Sequence, residues 1–515
     1  MQVRTIVRSM AERPTFQAPS GLKTGRTPTR GFQLETEYVR AVTGAKMKRM
    51  FAKPFVRAMN DHQDGVYLIA EHPTLISVVA TASVDGSMKL YDVSSGHLLS
   101  SLDAHSSWIT GAVIPACAPE TLVTCGRDSL LRFWKLPEPY LLTGDSMHTT
   151  NHQINLLNSI VLNVSPSHLA HSYVERQLAL ATPLGVDLFD HERQEPLSRL
   201  VFSDDGVSDS AFSYVQFNPA EPHLLGAISV TKCVFFDTRV RDPVFRFSLW
   251  SRPTCLSFNP YYPNVFAISA NDGNCYSFDL RSFRYDANHT PMDRFVGATG
   301  AVLSCAFSPD GTVLATGCYD HAIRLYKVRT VGPRTTLKER QGEVFFANLD
   351  TAGMAMDTVR EMAEGAQADP ELTNVATRRA RPNAFYIQPY DTYHNRRMQR
   401  VWVVRFTGDG RFVLSGSEDA NLRVWKTYAS ESLRILRREQ ADAIEYRNTL
   451  VNKFQNTPEV QHILKSHLLP KPIRSKQRTQ AIHLQAVRRK RDIRASESGH
   501  KATPESARVV RDVEK

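Results

Sequence analysis

The chain has little of what marks a secreted, membrane-spanning or catalytic protein. Its 515 residues hold seven cysteines, none spaced as C-x-x-C, which excludes the commonest thiol-redox and zinc frameworks. Cys125, Cys233, Cys275 and Cys318 lie in strand-like apolar runs and read as small core residues of a protein kept in a reducing compartment. No continuous apolar stretch is long enough to cross a bilayer. Arg4, Arg8 and Arg13 are not followed by an apolar run, so no secretory leader is expected. The sequences Asn163-Val164-Ser165 and Asn288-His289-Thr290 therefore carry no expectation of glycosylation. There is no H-E-x-x-H and no G-x-S-x-G. Ser20 to Thr27 imitates a phosphate-binding loop but has Ser20 for the first Gly and Arg26 for the Lys, with no strand before it. These absences point away from an enzyme, a metal, a cofactor or a small-molecule substrate.

Acidic residues are scarce at both ends. Residues 1–60 hold 12 Lys and Arg against 3 Asp and Glu, and residues 433–515 hold 19 against 9. With a total of +11, the body between them carries −8. A mildly acidic body with two basic extremities suits a polyanionic partner, most simply nucleic acid.

What is present is a repeat. From His105 the chain runs through Thr124, Asp128 and Trp134, as two short strands would around a tight turn. An Asp in that turn can accept hydrogen bonds from turn amides and from a His on the preceding loop. A hydroxyl four residues earlier and an aromatic donor six residues later complete a buried polar network. The offsets recur as Thr81, Asp85 and Tyr91, as Thr316, Asp320 and Tyr326, and as Ser415, Asp419 and Trp425. A weaker copy runs from Asp272 to Phe278, with Ile268 in place of the hydroxyl. His62 precedes Asp85 by the 23 residues that separate His105 from Asp128. This is the pattern of WD-repeat propeller blades. At these recurring turn positions the Asp and His residues read as blade locks rather than as acids, bases or ligands.

The expected fold is all-β, a seven-bladed WD-repeat β-propeller with a basic N-terminal extension and a basic α-helical C-terminal tail. The extension covers 1–59, its first 30 residues without periodicity and Leu34, Tyr38, Val42 and Ala45 at helical spacing before Pro54. The propeller covers 60–428, with blades at about 60–100, 101–137, 151–192, 194–240, 243–283, 290–330 and 386–428. An insertion at 331–381, between blades six and seven, reads as a tolerated excursion whose middle, 352–366, favours helix. The tail covers 429–515. Ser430 can cap a segment with Leu433, Leu436, Ala443, Leu450 and Phe454 in phase. Thr457-Pro458-Glu459 starts a second helix, ended by Pro470 and Pro472. Ser475 opens a third. The apolar stripes are expected to pack on the propeller or a partner. The Lys and Arg side stays open: Lys465, Lys471, Arg474, Lys476, Arg478, Arg488, Arg489, Lys490, Arg491 and Arg494 form the densest basic tract. Such side chains hold phosphates without reading bases, and no aromatic follows Phe454 to stack on one. Charge runs are often only solvated faces, and Arg488 to Arg491 also fits a nuclear import signal.

Four segments apart from the recurring Thr, Asp and aromatic positions resemble one family. Phe51-Ala52-Lys53-Pro54-Phe55, the run from Tyr393 to Val401, and Arg508 to Lys515 are similar to flanking segments of the Sof-one family of WD-repeat proteins, as is the opening Met1 to Arg8. The likeness covers nearly the whole chain, apart from residues 9–35 and the long insertion. It implies a non-enzymatic component of the U3 snoRNP and small-subunit processome, located in the nucleus and nucleolus. Its partners would be pre-rRNA or U3 snoRNA and processome proteins. A second reading rests on Asp237-Thr238-Arg239 and Asp279-Leu280-Arg281, which end two successive blades. They resemble the Asp-x-Arg motif by which some propellers dock on the adaptor of a cullin-RING ubiquitin ligase, with Phe236 and Phe278 where that motif has Trp. Strand-end arginines paired with nearby acids are the plainer explanation.

Overall fold

The computed structural model describes residues 33–136, 154–191, 193–201, 211–240, 242–281, 291–328, 385–433, 435–466, 469–498 and 510–514. The chain divides into two compact units, one of residues 56–427 and 469–515 and one of residues 1–55 and 428–468.

In the first unit the strands pair into seven sheets of four or five. The innermost strands are Val66–Glu71, Ile109–Val113, His168–His171, Tyr214–Phe217, Pro253–Phe258, Val302–Phe307 and Val401–Phe406. Each lies against the innermost strand of the next sheet, and the last against the first. The sheets are therefore seven blades of a closed propeller. Middle strands are covered on both faces by neighbouring blades, so they read as unbroken small apolar runs. Val78–Ser83, Val265–Ala270 and Val313–Cys318 are buried at every position. The outer strand Leu98–Asp103 is only partly covered, and its burial is broken accordingly.

The sequence repeat and the blade are out of phase. Asn155–Val161 pairs with Leu130–Lys135 as the outer strand of the second blade, not as the start of the third. Ser198–Leu200 closes the third blade. Pro243–Leu249 belongs to the fourth, and Asp293–Phe295 to the fifth. Asp391–Tyr393 is the outer strand of the sixth blade, so the insertion interrupts that blade rather than separating it from the seventh. A strand that begins one repeat thus completes the sheet before it. The same rule draws in Phe55–Met59, which repeat spacing leaves in the N-terminal extension. It pairs beside Leu422–Lys426 as the outer strand of the last blade. Two blades gain a fifth strand: Phe385–Ile387 lies parallel to Asp293–Phe295, and Val510–Glu514 antiparallel to Pro243–Leu249.

The second unit is helical. Helix α1 (Gln33–Arg49), α2 (Arg438–Lys453) and α3 (Pro458–Lys465) share a core of Ala45, Val451 and Val460, flanked by Tyr38, Val42, Phe454, Ile463 and Leu464. The tail's apolar stripe thus finds its cover on the N-terminal helix. Tyr38 donates to Glu459 at 2.7 Å, Lys453 pairs with Glu37 at 2.7 Å, and Arg49 donates to the Leu464 carbonyl at 2.9 Å. The α2 helix starts at Arg438 and not at Ser430, which leaves Leu433 and Leu436 ahead of it and exposed. Thr457 is the N-cap residue of α3, with Pro458 in its first turn.

Back in the propeller unit, α4 (Lys471–Ser498) starts before Ser475, because Pro472 sits in a first turn that needs no N–H donor. Ile473 is buried, and Gln477 donates to the carbonyl of Gly297 at 2.8 Å.

The turns between second and third strands repeat one backbone device. The residue after the turn aspartate has positive φ: Gly86 at 85°, Ser129 at 60°, Gly273 at 83°, His321 at 64° and Ala420 at 62°. Gly86 is the least replaceable, since a Cβ there would lie 2.2 Å from the His105 carbonyl oxygen. Gly86→Ala is expected to destabilise the propeller by roughly 2–4 kcal/mol, while Ala420→Gly changes stability by no more than about 1 kcal/mol. Thermal melting of the two variants checks the contrast.

Candidate docking surfaces

The second blade contains the network in full. The Trp134 indole donates to the Thr124 hydroxyl at 2.9 Å. The same hydroxyl donates to His105 Nε2, also 2.9 Å away, because the ring's other nitrogen faces a carboxylate that only accepts. His105 then carries its proton on Nδ1, 3.0 Å from both Asp128 oxygens. Burial lowers the pKa of His105, against the pull of Asp128, and keeps the ring neutral. The chain of donors runs one way, from indole to carboxylate.

The other copies keep the positions and change the partners. In the first blade His62 reaches the Thr81 hydroxyl at 2.7 Å, while Asp85 accepts the Ser87 N–H at 2.8 Å and Tyr91 is buried beside the His62 ring. Burial pulls His62 down to about 4. In the sixth blade Asp320 pairs with Arg324, Nη1 to Oδ1 at 3.0 Å and Nη2 to Oδ2 at 2.5 Å, and accepts from Thr299. Burial alone would raise Asp320, but the Arg324 bonds hold it below the usual carboxylate range. Thr316 donates to the Arg324 carbonyl and Tyr326 to that of Val296. In the seventh blade Trp425 still donates to Ser415 at 2.8 Å, while Asp419 pairs with Arg423. In the fifth, Tyr276 donates to Asp272. Ile268 and Phe278 there are buried in a cluster with Phe266 and Phe235, so packing replaces the hydroxyl network.

The repeat holds a further regular feature that the expectations above omit. Four residues after each of four turn aspartates stands a cation: Lys89, Arg132, Arg324 and Arg423. Lys89 donates to the Asp61 carbonyl, Arg132 to that of Ala104, and the other two to the aspartates themselves. The spacing is visible in the residues, and the cation meets the aspartate where blades six and seven have Gly297 and Arg396, not histidine, 23 residues before it.

The turns between third and fourth strands lie on the opposite face. There Arg239 Nε and Nη2 donate to the Asp237 carboxylate at 2.9 and 2.7 Å, and its N–H donates at 3.0 Å. Arg281 repeats this on Asp279 at 3.1, 3.0 and 3.0 Å. The arginine side chains are 66% and 65% exposed. The Arg239 hydrogen bonds hold Asp237 down to about 2. Two guanidiniums are thus held in one pose on adjacent blades, with their outer N–H groups free of the intrablade pair. Phe236 and Phe278 are core residues.

Along α4, Lys471, Arg474, Lys476, Arg478, Arg489 and Lys490 are exposed. The side chains of Lys465, Arg488, Arg491 and Arg494 lie outside the described residues, as does the insertion at 331–381. Among the described residues no cluster of His, Cys, Asp and Glu could hold a metal, and no helix is long and apolar enough to cross a membrane.

Removing the acceptor of the second blade strands a buried imidazole and hydroxyl. Asp128→Ala is expected to destabilise the propeller by about 1–3 kcal/mol, read as a lower melting temperature. Thr124→Val should behave similarly, since it leaves both the indole and His105 Nε2 unpaired.

Comparison with known proteins places these features. A Sof1-like domain matches residues 427–511, and the WD domain, G-beta repeat, matches 96–135, 289–327 and 388–426. Each WD match runs from the outer strand of one blade into the next, the same phase offset as above. The chain is 26% identical over 464 residues to "DDB1- and CUL4-associated factor 13" of Xenopus laevis, covering 90% of this chain and 86% of that protein. To the Homo sapiens protein of that name it is 27% identical over 461 residues, 89% and 86% of the two chains. To that of Dictyostelium discoideum it is 26% identical over 474 residues, 91% and 89%. Ring and sequence matches agree: the chain is a seven-bladed propeller with WD repeats, and its residues 427–511 match a Sof1-like domain.

Proposed function

We propose that the protein is a non-enzymatic scaffold of the small-subunit processome, acting with pre-rRNA or U3 snoRNA and processome proteins in the nucleolus. The observation that carries this reading is α4. It is anchored at its start by Ile473 and Gln477, while six Lys and Arg side chains along it face solvent. Anchoring at one end and exposing cations along the rest suits phosphate contacts, which position without reading sequence. The basic balance of both chain ends supports the same partner. The blades supply rigid faces for proteins, and their buried carboxylates are bound to structural partners rather than free for chemistry.

Reversing charge with Lys476→Glu, Arg489→Glu and Lys490→Glu leaves the buried contacts intact. Affinity for structured RNA should fall about tenfold or more near physiological salt, with a shallower salt dependence. Co-sedimentation with pre-ribosomal particles should weaken in parallel. Unchanged RNA binding and sedimentation would remove α4 from the mechanism.

A second role is favoured by a separate observation, the matched Asp237–Arg239 and Asp279–Arg281 pairs on one face. The relatives' name couples them to DDB1 and CUL4, and a pair of pre-oriented guanidiniums suits docking on such an adaptor. Arg239→Ala with Arg281→Ala is expected to abolish co-purification of DDB1 while leaving RNA binding and melting temperature unchanged. Retained co-purification would make both pairs ordinary strand-end bridges.

A further inference from the structure

Only the start of α4 is held. Ile473 is buried and Gln477 donates to the Gly297 carbonyl, but from Arg478 to Lys490 every side chain among the described residues is exposed. A helix with no buried face keeps only its own marginal stability. This stretch therefore opens at far less cost than a blade, and the propeller stays folded when it does. Thr479 lies just past the anchor and is itself exposed. Its hydroxyl donates to the Ser475 carbonyl at 3.0 Å, a bond back to the fourth residue before it that loosens a helix. Arg474, Lys476 and Arg478 precede it by five, three and one residues, and no Asp or Glu occurs from Val460 to Arg491. Once the segment is extended, alternate side chains share a side, so the three cations line up along one edge ahead of the hydroxyl.

That pattern selects a class of enzyme. Protein kinases sort their acceptors by the charges beside them, and an acidic substrate groove takes three such cations. We propose that Thr479 is a phosphorylation site for a protein kinase directed by basic residues, and that its phosphate releases α4 from RNA. Thr479 Oγ1 attacks the γ-phosphorus of ATP, the bond from that phosphorus to the bridging oxygen breaks, ADP leaves, and the hydroxyl proton passes to the kinase's carboxylate base. Ser475 is exposed too, but it stands between Ile473 and Gln477, so extending the chain there would undo the anchor. Back in the helix the phosphate carries about −1.5 to −2 charges, one turn from Lys476 and beside Arg478. Those cations then have a partner on their own helix and are withdrawn from a polyanion. The modification depends only on the exposure and charge of α4, whereas the release rests on the RNA reading above.

The test uses the full chain with magnesium and ATP. The enzymes are the catalytic domains of protein kinase B and the cyclic-AMP-dependent kinase, with a casein kinase, directed by acidic residues, for comparison. Peptide mass spectrometry should place phosphate on Thr479 with at least one of the first two and not with the third. Arg474→Ala with Lys476→Ala should slow that modification about tenfold or more. The phosphorylated chain should bind a fluorescein-labelled RNA hairpin about tenfold more weakly than the untreated chain, with a shallower salt dependence and an unchanged melting temperature. Thr479→Ala, taken through the same treatment, should bind as the untreated parent does. Thr479 left unmodified by both basic-directed kinases, or modified as fast in the double Ala variant, would overturn the site. Equal RNA affinity before and after phosphorylation overturns the release step when the α4 charge-reversal variant has lost the RNA. If that variant binds RNA as the parent does, the RNA reading of α4 has failed and the release step falls with it, while phosphate mapped to Thr479 still supports the site.

Discussion

A carboxylate at a tight turn must find donors, and in five blades the turn aspartate on one face of the ring finds them, from the buried Asp320 to the exposed Asp85 and Asp272. Asp128 is met by a loop histidine, Asp320 and Asp419 by an arginine on the next strand, Asp272 by a tyrosine and Asp85 by a backbone amide. The His105, Arg324 and Arg423 solutions tie the turn to the rest of the blade, and the Asp85 solution closes the turn on itself. The residues one step before three of these aspartates are Arg127, Tyr319 and Glu418, of which Arg127 lies over Trp108 and the other two both meet Arg400. The bonded acid thus fixes its neighbour in the sequence. A surface assembled from loops gains the precision of a strand end because its loops are pinned from beneath.

Much of this was legible in the residues. The spacing of Thr, Asp and Trp needs only local geometry, so it survives in the sequence wherever the turn survives. The relief of Asp320 by Arg324 was less visible, since one interior position can be served by several chemistries. Strand order was harder still. The outer strand of each blade is contributed by the start of the following repeat, a consequence of ring geometry and not of local preference. Phe55–Met59 and Asp391–Tyr393 therefore fell on the wrong side of boundaries drawn from periodicity. The helix α4 begins earlier than Ser475 for a related reason, since Pro472 breaks a helix only past its first turn.

The two faces of the propeller carry different side-chain groupings. One has guanidiniums locked to Asp237 and Asp279, the other the rings of Tyr67, Trp108 and Trp402 in contact. The basic helix supplies a third element, with exposed Lys and Arg along it and no Phe, Tyr or Trp in its sequence. The aromatic bulges of Tyr67 and Trp402 had no signature in the sequence. A strand with one extra residue looks like any other until its partner is known.

Ring closure has a temporal side. The strand Phe55–Met59 leaves the ribosome before any blade exists, yet its neighbour Leu422–Lys426 is among the last parts of the propeller to be made. Throughout translation its hydrogen-bonding edge must wait, open to any passing chain. A nascent-chain chaperone that shields this segment until the seventh blade emerges would relieve the exposure. Ribosome stalling within the long insertion before that blade would prolong it.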